Sequence, residues 1–126
     1  MIPVTNIVEA LGIVVSLQNL LILAIGLLIG FLAGALPGLS SSTTVALLFS
    51  LTIGMPTETA LIFMAAIYCG AQYGGAVPAI LFNTPGEAGS AATALDGYQM
   101  TLRGEPGRAL AIARMASGLG GIIAST

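Results

Sequence analysis

The groups in this chain with chemical potential are hydroxyls, amides and loosened backbone rather than clustered ionisable side chains. Five hydroxyls stand in a row, Ser40, Ser41, Ser42, Thr43 and Thr44, directly after Pro37-Gly38-Leu39. An Asn83-Thr84 pair follows an apolar run and precedes Pro85-Gly86, while Tyr73 sits beside Gly74 and Gly75 with Pro78 close behind. Such groups hold a small polar ligand reversibly. Side-chain hydroxyls and amides donate and accept, and free N–H groups at the start of a broken helix attract anions. Carbonyls released at the same breaks suit a cation such as sodium.

Enzymatic chemistry has little to draw on. The chain contains no histidine, which removes the commonest general base and a favoured transition-metal ligand. Cys69 is alone, so no disulfide forms within the chain. We therefore expect neither an enzyme nor a metal centre. Only 6% of the 126 residues are charged and 56% are hydrophobic, whereas a water-soluble domain has about a quarter of its residues charged. Glu9, Glu58, Glu87, Asp96, Arg103, Glu105, Arg108 and Arg114 are too few to solvate the whole surface. With a net charge of −2 and no basic stripe, nucleic-acid binding lacks its electrostatic footing.

The elements that position these groups follow from apolar run lengths. A spanning helix needs about 20 apolar residues. The first candidate runs from Ile13 to Leu36, with Gln18 and Asn19 as its polar members at interfacial depth. It lacks the basic start and short apolar stretch of a cleavable signal peptide. After the turn at Pro37–Thr43, the apolar piece from Thr44 to Met55 is short for a crossing and suits a re-entrant or tilted half-helix. Pro56-Thr57-Glu58 then restarts the chain, with Thr57 as expected N-cap. The second full candidate covers Thr59 to Phe82 and is broken or kinked by Pro78. Asn83 to Gln99 reads as a polar loop rich in turn formers. The last segment, Gly107 to Thr126, is apolar and uncapped, so the chain is expected to stop within a span, as the N-terminal part (1–126) of one carrier domain without a soluble domain.

Glycines carry the remaining pattern. Gly26, Gly30 and Gly34 repeat every fourth residue, which leaves a smooth groove for a second helix; Gly38 follows proline and shapes a turn instead. The breaks GALP (Gly34–Pro37) and GAVP (Gly75–Pro78) resemble each other, as expected where two discontinuous helices frame a transporter site. Arginines in the connection around Arg103, Arg108 and Arg114 point that loop to the cytoplasm. Asp96 is expected to be structural, with Arg103 and Arg108 as possible partners, and Tyr68 and Tyr73 to be interfacial anchors, Tyr73 being the better site candidate.

The stretches GALPGL, then GMPTETALIFMAAIYCGAQYGGAVPAILFNTPGEAGSAATALDGYQM, then RGEPGRALAIA resemble the TctA family, the large membrane subunit of tripartite tricarboxylate transporters. The resemblance covers about Gly26 to Gly121. It implies an all-α integral membrane protein with broken or re-entrant half-helices, part of a larger secondary-transporter fold in the bacterial inner membrane. It also implies uptake of citrate or related carboxylates driven by a sodium or proton gradient. The implied partners are a small TctB-like membrane subunit, a periplasmic TctC-like solute-binding protein and membrane lipid. The family's motifs fall on Gly30, Gly34, Pro37, Gly38 and Leu39, and on Tyr73, Gly74, Gly75, Asn83, Thr84, Pro85, Gly86, Asp96, Gly97 and Tyr98. The chain departs from the family pattern at Ser40, where glycine is common, and at Ala88 and Gln99, where proline is usual. Substrate contact is expected from Ser40, Ser41, Ser42, Thr43, Tyr73, Asn83 and Thr84. Gly34, Pro37, Gly38, Gly74, Gly75, Pro78, Pro85 and Gly86 would shape the backbone around it. A non-transporting scaffold with glycine-packed helices, and a channel using the Ser/Thr stretch as a filter, stand as alternatives.

Overall fold

The computed structural model describes residues 4–125, and every element among them is helical. They are α1 (Val4–Val14), α2 (Leu17–Gly34), α3 (Ser41–Leu48) with a 3-10 turn at Phe49–Thr52, α4 (Thr57–Gly74), α5 (Ala76–Phe82), a 3-10 turn at Ala88–Ser90, α6 (Ala91–Leu102) and α7 (Pro106–Ser125). Leu17–Gly34 and Thr57–Phe82 are long and apolar enough to cross a membrane.

The expected single span from Ile13 to Leu36 is divided. Ser16 breaks it: its hydroxyl donates to the Ile13 carbonyl at 2.8 Å and accepts from the Asn19 amide at 3.4 Å, starting a new helix. Serine competes for backbone partners in this way, which explains its preference for helix starts. Asn19, in the first turn of α2, is buried within the fold. Its side-chain nitrogen donates to the Ile13 carbonyl at 2.7 Å, and its oxygen accepts from the Thr59 hydroxyl at 3.0 Å. Asn19→Ala leaves the Thr59 hydroxyl without its partner, while the Ile13 carbonyl keeps the Ser16 hydroxyl, so we expect a loss of about 1–2 kcal/mol in unfolding free energy. A double-mutant cycle with Thr59→Val checks it: the second substitution should cost much less in the Asn19→Ala background than alone.

α2 and α4 form the centre of the fold, packed at glycine distance. A Cβ added at Gly30 or Gly34 would lie less than 3.0 Å from the backbone of Ile67 or Ala71, and one at Gly70 or Gly74 would meet the backbone of Leu27 or Phe31. The groove is therefore reciprocal. Because Gly26 faces Phe63 and Ala66 while Gly34 faces Ala71, the two helices run parallel. The Asn19–Thr59 bond lies near their shared N-terminal end. α3 and its 3-10 turn must then lead the chain back along the pair. Their eight and four residues supply about 20 Å of rise, against about 27 Å for the 18 residues of α2. A re-entrant piece would return the chain to the end it left and give antiparallel neighbours. The short segment from Ser41 to Thr52 is instead a return path, completed by the turns at its two ends.

Three further boundaries differ from expectation. Pro56, not Thr57, is the N-cap of α4, and Thr57 is already helical, with Glu58 in the first turn. The kink attributed to Pro78 falls at Gly75, between α4 and α5. Proline lacks the N–H that would reach back four residues to Gly74 and its ring crowds that carbonyl, so the chain bends there and Pro78 itself sits in the first turn of α5. The expected loop from Asn83 to Gln99 is mostly helix. Alanine, leucine and glutamine in α6 favour it, and Gly97 lets α6 close on Ile80, where a Cβ would fall 2.7 Å from the isoleucine side chain.

Candidate functional site

The two interrupted stretches meet. Ser40 is extended (φ −72°, ψ 158°) and caps α3, its hydroxyl accepting from the Thr43 amide at 3.2 Å and lying 2.8 Å from the Thr43 hydroxyl. Thr44 donates from its hydroxyl to the Ser40 carbonyl at 2.9 Å. The Ser41 amide is satisfied by a carboxylate from the other break: it donates to Glu87 Oε2 at 2.5 Å. A negative charge at a helix N-terminus is favourable because the unpaired amides there carry partial positive charge. The Ser41 hydroxyl is fully buried and has no hydrogen-bond partner among the described residues.

Close backbone approach makes the junction possible. A Cβ on Gly86 would lie 2.9 Å from the Gly34 carbonyl oxygen and 3.3 Å from Gly75 Cα. A Cβ on Gly75 would meet Glu87 at 3.2 Å. Gly34, Gly75 and Gly86 thus stack three segments. Pro37 and Gly38 form the exposed turn entering α3, with Gly38 at φ +91°, a conformation that favours glycine.

The structure does not gather all the candidate residues. Asn83 ends α5 in the left-handed region (φ 56°, ψ 27°), and the amides of Asn83 and Thr84 both return to the Pro78 carbonyl. The side chains of Asn83, Thr84 and Pro85 are exposed, and none lines a described cavity. Asparagine tolerates this backbone conformation better than most residues. Ser42 faces a hollow of about 520 Å³ shared with Val45, Ala46, Phe49 and Tyr68.

Tyr73 belongs to a second region, a cleft of about 640 Å³ among α4, α6 and α7. Its ring stacks on Phe31, with centroids 5.8 Å apart, and the Arg114 guanidinium carbon lies 5.9 Å from the ring centroid. Tyr68 joins the two hollows, and its hydroxyl accepts from Gln72 at 3.0 Å. Asp96 lines the cleft from α6 rather than from a turn. It pairs with neither expected arginine: Arg108 lies 3.4 Å from Glu105 instead. Ser90, buried behind Glu87, also lines the cleft, so the segment from Glu87 to Ser90 connects it to the junction.

Glu87 and Arg114 were not singled out from sequence as site residues. For Arg114 a signal was present, because it and Arg108 are the charged residues of the 20-residue helix α7, and an arginine is costly beside lipid. For Glu87 the signal was its position just after Pro85-Gly86 in a segment otherwise nearly free of charge.

The family model described as the Tripartite tricarboxylate transporter TctA family matches residues 20–126. A curated protein of Agrobacterium vitis, named an uncharacterized 52.8 kDa protein in the TAR-I ttuC' 3' region, is 48% identical over 101 residues. That match covers 80% of this chain and 20% of the relative, so the chain spans about a fifth of the relative's length. No solved structure matches the chain.

Proposed function

Because the chain belongs to the tripartite tricarboxylate transporter TctA family, we propose that it forms part of an inner-membrane, multi-pass secondary carrier for citrate or related carboxylates. On this reading a sodium or proton gradient drives uptake, and a small TctB-like subunit and a periplasmic TctC-like binding protein work with it. The observation that carries the site assignment is the contact between the two breaks, with Glu87 on the Ser41 amide and the Ser41 hydroxyl buried and unpartnered. Discontinuous helices of this kind hold anions at their N-termini and cations at freed carbonyls. Surface character supports the membrane placement. The interior is built largely from small residues such as Ala66, Ala71, Ala79, Ala94 and Ala109, while Leu17 is 76% and Ile53 79% exposed. Water does not favour that arrangement, but lipid does.

A scaffold without transport would also use the glycine contact of α2 and α4, but would give no role to an unpaired buried hydroxyl. The test is uptake of labelled citrate by proteoliposomes containing this chain as part of the complete carrier with its partners. Ser41→Ala removes no hydrogen bond seen in the fold, so we expect normal expression with uptake lowered about tenfold, the value of one substrate hydrogen bond. Asn83→Ala, run alongside, tests the exposed pair. Unchanged uptake in both variants removes the site assignment. No carboxylate uptake by the wild type, with partners present, favours the scaffold.

A further inference from the structure

The junction of the two breaks carries more negative charge than the fold offsets. α2 ends there, and a helix C-terminus is equivalent to about −0.5 of an elementary charge. Its last turn is left open, since no described group donates to the Gly34 carbonyl oxygen. Gly86 packs against that oxygen, a Cβ there falling 2.9 Å away, and so brings the next residue, Glu87, to the end of α2. The Glu87 carboxylate adds a full negative charge. Against it stands the N-terminus of α3, equivalent to about +0.5, which leaves a surplus of about −1. No described arginine pairs with Glu87; the ion pair is Arg108 with Glu105.

Three oxygens at the junction have spare capacity. Glu87 receives the Ser41 amide on Oε2 at 2.5 Å, and its Oε1 accepts nothing among the described residues. The Ser41 hydroxyl is fully buried without a partner, and the Gly34 carbonyl is free. Buried polar atoms are nearly always paired, so an open one calls for a ligand. Carboxylate, hydroxyl and carbonyl oxygens are hard donors, suited to sodium rather than to softer metals. A single carboxylate favours a monovalent ion, because calcium and magnesium sites gather more acid. The described residues contain no cluster of three acidic or metal-ligating side chains. We propose that Glu87, Ser41 and the Gly34 carbonyl form a sodium site joining the end of α2 to the start of α3. The ion neutralises Glu87, which would otherwise repel an anionic ligand from the same junction. The Ser41 oxygen meets the ion, and its proton stays free for a substrate carboxylate. Sodium thus binds before the anion. This deepens the carrier reading and rests on it for the ion's part in uptake.

Hydrogen exchange of the complete carrier in detergent, in sodium chloride against choline chloride at equal ionic strength, tests the site. The choline salt holds charge screening constant. A ligand at about ten times its dissociation constant protects the state it binds about tenfold. Exchange at the amides of Ser41 to Thr44 should therefore slow by about that factor in sodium. Glu87→Gln keeps an acceptor for the Ser41 amide but loses the charge, so its response to sodium should disappear. Ser41→Ala should raise the sodium concentration for half-protection about tenfold. Glu58→Gln, which alters an exposed acid in the first turn of α4, is the control and should respond like the wild type. Equal exchange in the two salts overturns the site, and so does a sodium response that survives Glu87→Gln. A Glu87-dependent response without carboxylate uptake by the wild type upholds the site and removes the carrier reading instead.

Discussion

Gly30→Val is expected to unfold the paired helices, lowering stability by about 3 kcal/mol or more. Overpacking a core usually costs about 1–3 kcal/mol, because neighbouring side chains move aside. Here the obstacle is main chain: the first added carbon falls against the Ile67 backbone, which can yield only if α4 moves away from α2. Separation would also disturb the contacts at Gly34, Gly70 and Gly74, since all belong to one continuous face. Thermal unfolding in detergent, followed by circular dichroism, measures the loss. Gly12→Ala is the matched control. Nothing lies within 4 Å of that position in α1, so exchanging glycine for alanine should stabilise the helix by up to about 1 kcal/mol. If the two variants melt alike, close α2–α4 packing is not what holds the chain together.

Glu87→Ala is expected to release α3 from the second break. The carboxylate ties the Ser41 amide to a residue 46 positions away, and a hydrogen bond to a charged group contributes about 1.5–3 kcal/mol. Removing it leaves the first turn of α3 with the local cap from the Ser40 hydroxyl on the Thr43 amide. Hydrogen exchange at the amides of Ser41 to Thr44 should accelerate by about tenfold or more, while the Gly26–Gly34 stretch of α2 keeps its protection. Glu87→Gln should retain part of the effect, because its amide oxygen still accepts. Unchanged exchange in Glu87→Ala would show that the carboxylate does not hold the junction.

Local patterns were legible in the sequence, and distant pairings were not. The glycine groove could be read because every fourth residue of one helix lacks a side chain, a property of α2 alone. Gly74 stood out as a backbone-shaping residue, but its place beside Gly70 on the partner face of α4 was not legible. The break at Ser16 was hidden because the apolar runs LGIVV and LLILAIG flank Ser16 to Asn19, and a serine within such a stretch is compatible with helix. α6 was obscured for the opposite reason: alanine, glycine and serine read as loop, yet Gly97 is the residue that lets this helix close against Ile80. Ser40 and Ser41 were recognisable as candidates by type. What separates their tasks, one capping α3 and the other buried against Glu87, depends on a segment that local spacing cannot bring near.

The parallel course of α2 and α4 has a consequence for biosynthesis. If both cross the membrane, they must enter it in the same direction, although only the stretch from Ala35 to Pro56 separates them in the chain. That stretch contains Ser40 to Thr44 and just 12 residues of continuous helix, too few to cross a bilayer unaided. The insertion machinery therefore cannot settle α3 when it emerges. It would wait near the surface until α4 follows and the glycines join, and only then be drawn into place beside the finished parallel pair.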